Sequence, residues 1–375
     1  MRLKYSIIIS FICAIMFSQN KEFEPGKEWK DTDGVHINAH GGGILFVDGT
    51  YYWYGEHKTE GKGGNTSLVG FSCYSSKDLY NWKNEGIVLK AEENPNSEIT
   101  KGCIMERPKV IFNEKTKKYL MWFHLELKNQ GYNAAKAAVA ISDNPKGPFK
   151  FYKSYRPNKG VWPMNFKEEN KTSSPNEDKL KSWSSEWLTA VNDGMLVRRD
   201  FKKGQMSRDM TVYVDENQKA YLIHSSEDNL TLHISELTDD YLDFTEKWAR
   251  MAPAGHNEAP AIFKKEGIYY MITSGCTGWD PNEARSFSSK SIFGPWKSLG
   301  NPCIGEDAGL TFHSQSTYIL PIFGKKDQFI FMADRWKPEN PIDGSYIWLP
   351  ITITNEKPVL KWAEKWNLNA FTENQ

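Results

Sequence analysis

The chain has 375 residues, with 47 Lys+Arg against 47 Asp+Glu, and so carries no formal net charge near neutrality. That balance gives no electrostatic basis for binding nucleic acid or an anionic membrane surface. Aromatic residues make up 14% of the chain and include 14 Trp. Such a content suits pleated sheets, where rings pack well, and suits sugar binding, where flat rings stack on pyranose faces.

The chain opens with MRLKYSIIISFICAIMFSQN. A short basic region at Arg2 and Lys4, an apolar run from about Tyr5 to Phe17, and small polar residues after it read as a signal peptide over 1–18. The run is too short to span a bilayer, and no other segment is long and apolar enough. The expected location is therefore secreted or periplasmic. Cleavage leaves Cys73, Cys103, Cys276 and Cys303, none in a CxxC, so zinc is not expected and isolated buried thiols are the preferred reading.

From residue 38 the sequence reads NAHGGGILFVDGTYYWYGE, a short apolar strand, an Asp48-Gly49 turn and an aromatic strand. This is a hairpin signal. The pattern recurs with aromatic strands at YLMWFH (119), YLIHSS (221), YYMITS (269) and FIFMADRW (329). Each follows a shorter apolar strand: PKVIFN, MTVYVD, APAIFK and STYILPIF. Four units continue into a third strand that contains serine, and the fifth closes with YIWLPITITNEKPVLKW. Five antiparallel units predict an all-β, five-bladed β-propeller over 31–372, with a long insertion in the second-blade region at about 151–206. The insertion is rich in Lys, Ser, Asn and Trp, has little periodicity, and is expected to form a long loop or small flap near a binding site.

In a propeller the first strand of each blade lines the axial channel, so polar residues at those strand starts converge on one funnel. They are Glu106, Asp209, Glu258 and Gln315, with His40 and three glycines in the first unit. Acids at matched places in different repeats point to glycoside cleavage, in which a carboxylic acid protonates the leaving oxygen while a second group acts on the opposite face. Burial and a neighbouring carboxylate keep such an acid protonated. Glu258 is expected to be the acid, because a Glu reaches farther into the funnel, and Asp209 to tune and position it.

The chain resembles glycoside hydrolase family 43, through INAHGGGIL…YYWYGE, MERPKVIFN, SRDMTVYVD, EAPAIFK and HSQSTY. Within the family it is most similar to the exo-β-1,3-galactanase branch, through SSEDNLTLHISELTDDY and YYMITSGCTGWDPNEA as well. The resemblance implies inversion of configuration, an Asp at Asp209 as the tuning group and the acid at Glu258. The family's usual Asp base would fall near Gly41, and this sequence lacks it. The galactanase branch shares that departure, with Glu106 and Gln315 as the counterparts. By chemistry Glu106 is the stronger proton acceptor, whereas the resemblance points to Gln315 as the group that holds the water; both stay in the site.

Glu56, Tyr132, Asn229 and Thr277 are the expected sugar-binding residues, and Trp279 and Trp336 are candidate stacking platforms. Some members hold calcium near a histidine, for which His313 is the counterpart. The sequence shows no acidic cage for calcium, so no cofactor is expected to be required, with a structural calcium as the alternative. The expected partner is a polysaccharide or oligosaccharide, with the chain acting as a monomer. The alternatives are an α-L-arabinofuranosidase or β-xylosidase, against which the missing first-unit Asp argues, and a non-catalytic glycan-binding propeller, against which the retained Glu258 and Asp209 argue.

Overall fold

The computed structural model describes residues 20–371 apart from Trp279. The expected signal peptide over 1–18 and the final residue of the expected domain, 372, lie outside the described residues. Local chemistry builds the first hairpin: Asp48 and Gly49 both have positive φ, 49° and 72°, the requirement of a two-residue type I′ turn whose twist matches the flanking strands.

Five sheets follow in chain order. The first holds His40–Val47, Thr50–Lys58, Leu68–Ser76 and Lys83–Lys90. The second holds Ile104–Asn113, Lys118–Glu126, Lys136–Ser142 and Lys150–Tyr155. Met210–Val214, Ala220–Ser226, Thr231–Leu237 and Phe244–Met251 form the third, and Glu258–Lys265, Ile268–Ser274, Arg285–Ser289 and Lys297–Gly300 the fourth. The fifth holds Gln315–Pro321, Phe329–Arg335, Ser345–Thr354 and Lys357–Lys361, with Cys303–Ile304 running parallel on its outer edge. The first strands lie against one another around a central axis. The molecule is a five-bladed β-propeller.

Blade faces are apolar, and their contacts form the core between blades. Between blades five and one, Trp53, Trp82, Trp348 and Trp366 pack with Phe23 and Tyr346. Phe23 also exchanges backbone hydrogen bonds with Trp366, at 2.7 and 3.1 Å. Chain closure thus involves Phe23, ahead of the expected start at 31. Its neighbours are mostly polar, so no strand pattern marks it.

The insertion also differs from expectation. Lys150–Tyr155 pairs with Lys136–Ser142 as the outer strand of blade two, so the excursion runs from 156 to 209 and joins blades two and three. It contains helices Ser185–Asn192, N-capped by the Ser184 hydroxyl on Trp187 N, and Met195–Asp200. Both are too short for a helical period to emerge from a sequence window. Their apolar side chains Val191 and Leu196 pack on Leu230 of blade three.

Cys73, Cys103, Cys276 and Cys303 are all free thiols. Among the described residues no helix is long and apolar enough to cross a membrane.

Candidate active site

The inner strands of blades one, two, four and five each slip register near their start, between His40 and Gly43, Glu106 and Lys109, Glu258 and Ala261, and Ser316 and Tyr318. In three of them the residue after the strand-top side chain is left-handed: Gly41 at φ 66°, Arg107 at 57° and Ala259 at 53°. Such bulges re-aim side chains and are common beside active sites. Across each hairpin the strand-top residue faces a polar partner: His40 opposite Glu56, Glu106 opposite His124, Glu258 opposite Ser274 and Gln315 opposite Asp334. Apart from Ser274, these residues surround a cavity of about 480 Å³ that also takes in Arg107, Tyr132, Asp209, Asn229 and Trp336.

Glu258 has the properties of a proton donor. Burial pushes its carboxyl up, the Asp209 charge pushes it further, and Arg107, Cys276 and Gln315 oppose them; the balance lies at about 7. Its Oε1 accepts from Gln315 Nε2 at 2.9 Å and its Oε2 from Asn229 Nδ2 at 3.3 Å. Asp209 Oδ2 accepts from Ala259 N at 3.1 Å and pairs with Arg107 Nη2 at 2.8 Å.

Arg107, which no sequence motif marks, is the cation bound to Asp209 and Gln315. Beyond Asp209 it donates from Nη1 to Ser316 O at 2.9 Å and from Nη2 to Gln315 Oε1. Its backbone N donates to Glu56 Oε1 at 2.9 Å. Because guanidinium only donates, the Gln315 oxygen must face it. The Gln315 amide nitrogen is then spent on Glu258 and on Ser274 Oγ, at 2.9 Å each.

Glu106 is held differently. Its Oε2 meets His124 Nδ1 at 2.9 Å and its Oε1 accepts from Tyr132 OH at 2.9 Å. His124 Nε2 reaches Glu126 at 3.0 Å. Burial opposes charge on His124, but hydrogen bonds to both glutamates overcome it and raise the imidazole to about 9. Burial likewise works to raise Glu106, yet the His124 hydrogen bond and charge leave it below its usual range. Glu106 is therefore an ionised carboxylate at neutral pH, with His124 on one oxygen and Tyr132 on the other.

The glycine run has a steric cause. A Cβ on Gly41 would lie 2.5 Å from Glu56 Oε1. Glu56 cannot swing away, because Lys58 Nζ holds its Oε2 at 2.8 Å and Arg107 N holds Oε1. A Cβ on Gly43 would lie 2.6 Å from Lys109 Cδ, and the buried Lys109 donates to Gly41 O at 3.0 Å. The place expected for a base is occupied by the Glu56 carboxylate.

Of the expected sugar-binding residues, Glu56, Tyr132 and Asn229 line the cavity. Thr277 does not: it is exposed, its hydroxyl donates to Asp280 O at 2.5 Å and accepts from Asn282 Nδ2 at 2.8 Å, and so it pins its own loop. Trp336 lines the cavity with its ring 4.2 Å from that of His40, and Trp279 lies outside the described residues. His313 lines the cavity and pairs with Asp307 at 3.1 Å. Glu106, His124 and Asp209 bring ligand-type atoms within 4.8 Å of one another. Both His124 nitrogens already lie on glutamate oxygens, at 2.9 and 3.0 Å.

His124 and Asp334 did carry a sequence signal. They are the sixth residues of YLMWFH and FIFMAD, in register with Glu56 in YYWYGE and Ser274 in YYMITS. Arg107 carried only its adjacency to Glu106.

A carboxyl group raised by burial and by a neighbouring carboxylate, in the axial cavity of a propeller, is the arrangement of a glycoside hydrolase. The sequence model of glycosyl hydrolases family 43 matches residues 186–311. The solved family 43 β-1,3-galactosidase BT3683, with galactodeoxynojirimycin, is 56% identical with TM-score 0.88, over 92% of this chain and 100% of that one. An exo-β-1,3-galactanase from Clostridium thermocellum is 34% identical with TM-score 0.73, over 92% of this chain and 66% of that one. One from Phanerochaete chrysosporium, with β-1,3-galactotriose, is 30% identical with TM-score 0.74, over 93% and 68%. The chain spans about two thirds of the latter two. A comparison with curated proteins returned no match. The chain belongs to glycoside hydrolase family 43 and is a glycosidase.

Proposed function

We propose that this protein is an exported, exo-acting, inverting β-1,3-galactosidase that releases galactose from the β-1,3-galactan of arabinogalactan-type polysaccharides, working as a monomer without a metal. The observation that carries the sugar assignment is Gly41 with the Glu56 carboxylate packed against it. The arabinan- and xylan-cleaving members normally use an Asp base there, and this site has no room for one. The relatives named as β-1,3-galactosidases and exo-β-1,3-galactanases support the same reading, and the leader pattern supports export.

In this reading Glu258 protonates the leaving oxygen, and Asp209, itself held by Arg107 and Ala259 N, keeps Glu258 protonated. Glu106 is the proton acceptor for the attacking water, being the ionised carboxylate of the floor. Gln315 orients: its nitrogen holds Glu258, and its oxygen keeps one lone pair for a water. Its contact with Arg107 favours the ordinary amide, because an O–H there would face an N–H donor.

Chromatography of products from debranched β-1,3-galactan, run beside arabinan and xylan, tests the reading. Galactose alone from the galactan is the expected result, and arabinose or xylose from the other polymers would overturn it. Gly41→Asp, which places the usual base residue in sequence, is expected to lose galactan activity. Left-handed strain alone makes it about 1–3 kcal/mol less stable, and the Glu56 clash adds to that. Thermal denaturation beside turnover checks this; a variant as stable and active as the parent would refute the steric account.

A further inference from the structure

Asn229 reaches Glu258 from the turn between the second and third strands of blade three. Glu227, Asp228 and Asn229 have φ of 52°, 56° and 65°, three successive non-glycine residues in the left-handed region. Such residues cost about 1–3 kcal/mol each and persist only where the surroundings hold them.

Here the surroundings come largely from the insertion. Arg250, at the end of Phe244–Met251, grips the Glu227 carboxylate with Nε on Oε1 and Nη2 on Oε2, both at 2.7 Å. His233 Nε2 adds a contact to Oε1 at 2.8 Å. The same guanidinium donates to the carbonyls of Val191 and Asn192, at 2.7 Å each, in the last turn of helix Ser185–Asn192. A cation there also meets the negative end of the helix dipole. The Arg250 backbone exchanges two hydrogen bonds with the Asn165 side chain, again in the insertion. Arg199, from the second helix, pairs with Asp228 at 2.6 Å. Leu230, directly after Asn229, packs on Val191 and Leu196. The turn is held on both sides of Asn229, and Asn229 holds Glu258.

We propose that Arg250 is a positioning residue for the acid: by tying Glu227 to the end of the insertion's first helix, it holds the left-handed turn that keeps Asn229 on Glu258. The insertion thereby serves leaving-group protonation and is more than a cover over the cavity. This rests on the reading of Glu258 as the acid of a β-galactosidase.

Arg250→Lys tests it, because lysine keeps the charge and loses the two-pronged grip. Small misplacements of a catalytic group can cost up to about 100-fold. Turnover of β-1,3-galactan is expected to fall about 10- to 100-fold, while that of dinitrophenyl β-galactoside, whose leaving group needs no proton, falls less than about threefold. Turnover of the galactan by Asn229→Ala should fall by at least as much as that by Arg250→Lys, and the double variant should be no worse than Asn229→Ala alone, since both act through one contact. Equal losses on the two substrates, or losses that multiply in the double variant, would overturn the proposal. If Arg250→Lys fails to fold, Arg199→Ala on the exposed partner of Asp228 is measured the same way, with the same split expected and the same results counting against it. A parent enzyme that releases galactose from neither substrate would sink the galactosidase reading itself, a distinct result.

Discussion

Glu258→Gln is expected to lower turnover of β-1,3-galactan by about 10²–10⁴-fold, the usual contribution of a positioned general acid. The amide preserves shape and cannot deliver a proton. A dinitrophenyl galactoside departs without one, so its turnover should stay within about tenfold of the parent, with loss confined to altered contacts to Asn229 and Gln315. The pH profile gives a second reading. The acid must carry its proton, and burial beside Asp209 raises its carboxyl to about 7, so kcat/KM on galactan should fall as pH rises through about 7. For the Gln variant on the activated substrate that limb should vanish. Glu106→Gln is the counterpart: water attack is needed with either leaving group, so both substrates should suffer together. If Glu258→Gln lost equally on both substrates, Glu258 would not be the acid.

Arg107→Met should be the most damaging single change to the floor. Arg107 is bound to Asp209, Gln315 and Ser316 through its side chain, and Glu56, Glu106 and Glu258 lie within its field. Removing one partner of a buried ion pair costs about 3–5 kcal/mol, because the remaining charge stays uncompensated. Denaturant titration should show a loss of that order. The sign of the activity change also follows. The Arg107 charge holds Glu258 down, so without it the carboxyl binds its proton more tightly and the alkaline limb should move above its former position near 7. Asp209 loses its counter-ion and Gln315 its orienting donor, so turnover should fall on both activated and natural substrates. Arg107→Lys should recover part of the stability and little of the turnover, since a point charge cannot meet Asp209, Gln315 and Ser316 together. An unshifted pH limb in a folded Met variant would remove Arg107 from the electrostatics of the acid.

Much of this architecture follows from local chemistry. The Asp48-Gly49 turn, the five paired strand patterns and the matched starts at Glu106, Asp209, Glu258 and Gln315 are properties of short segments. Turn conformation and strand alternation need no distant partner, and a repeat multiplies a weak local signal until it is specific. The polar sixth residues of the aromatic strands, His124 and Asp334 among them, were legible in the same way and needed only a comparison of registers.

Other features have no local cause. Arg107 points into the floor because a bulge in its own strand re-aims it, and its partners lie up to 209 residues away. Gly41 is small because Glu56, fixed by Lys58 and Arg107, fills the space beside it. Phe23 belongs to the propeller because Trp366 pairs with it. The insertion is ordered because Arg250, Leu230 and Asp228 of blade three meet it, whereas its two helices are too short to declare themselves. The sequence by itself determined the blades and the ring of acids, since these rest on periodicity and on symmetry between repeats. Tertiary structure decided which carboxyl group is raised, which is lowered and which side chain fills the space beside Gly41. Those outcomes depend on burial and on charges brought within a few ångströms by chain closure, and spacing along the chain does not encode either.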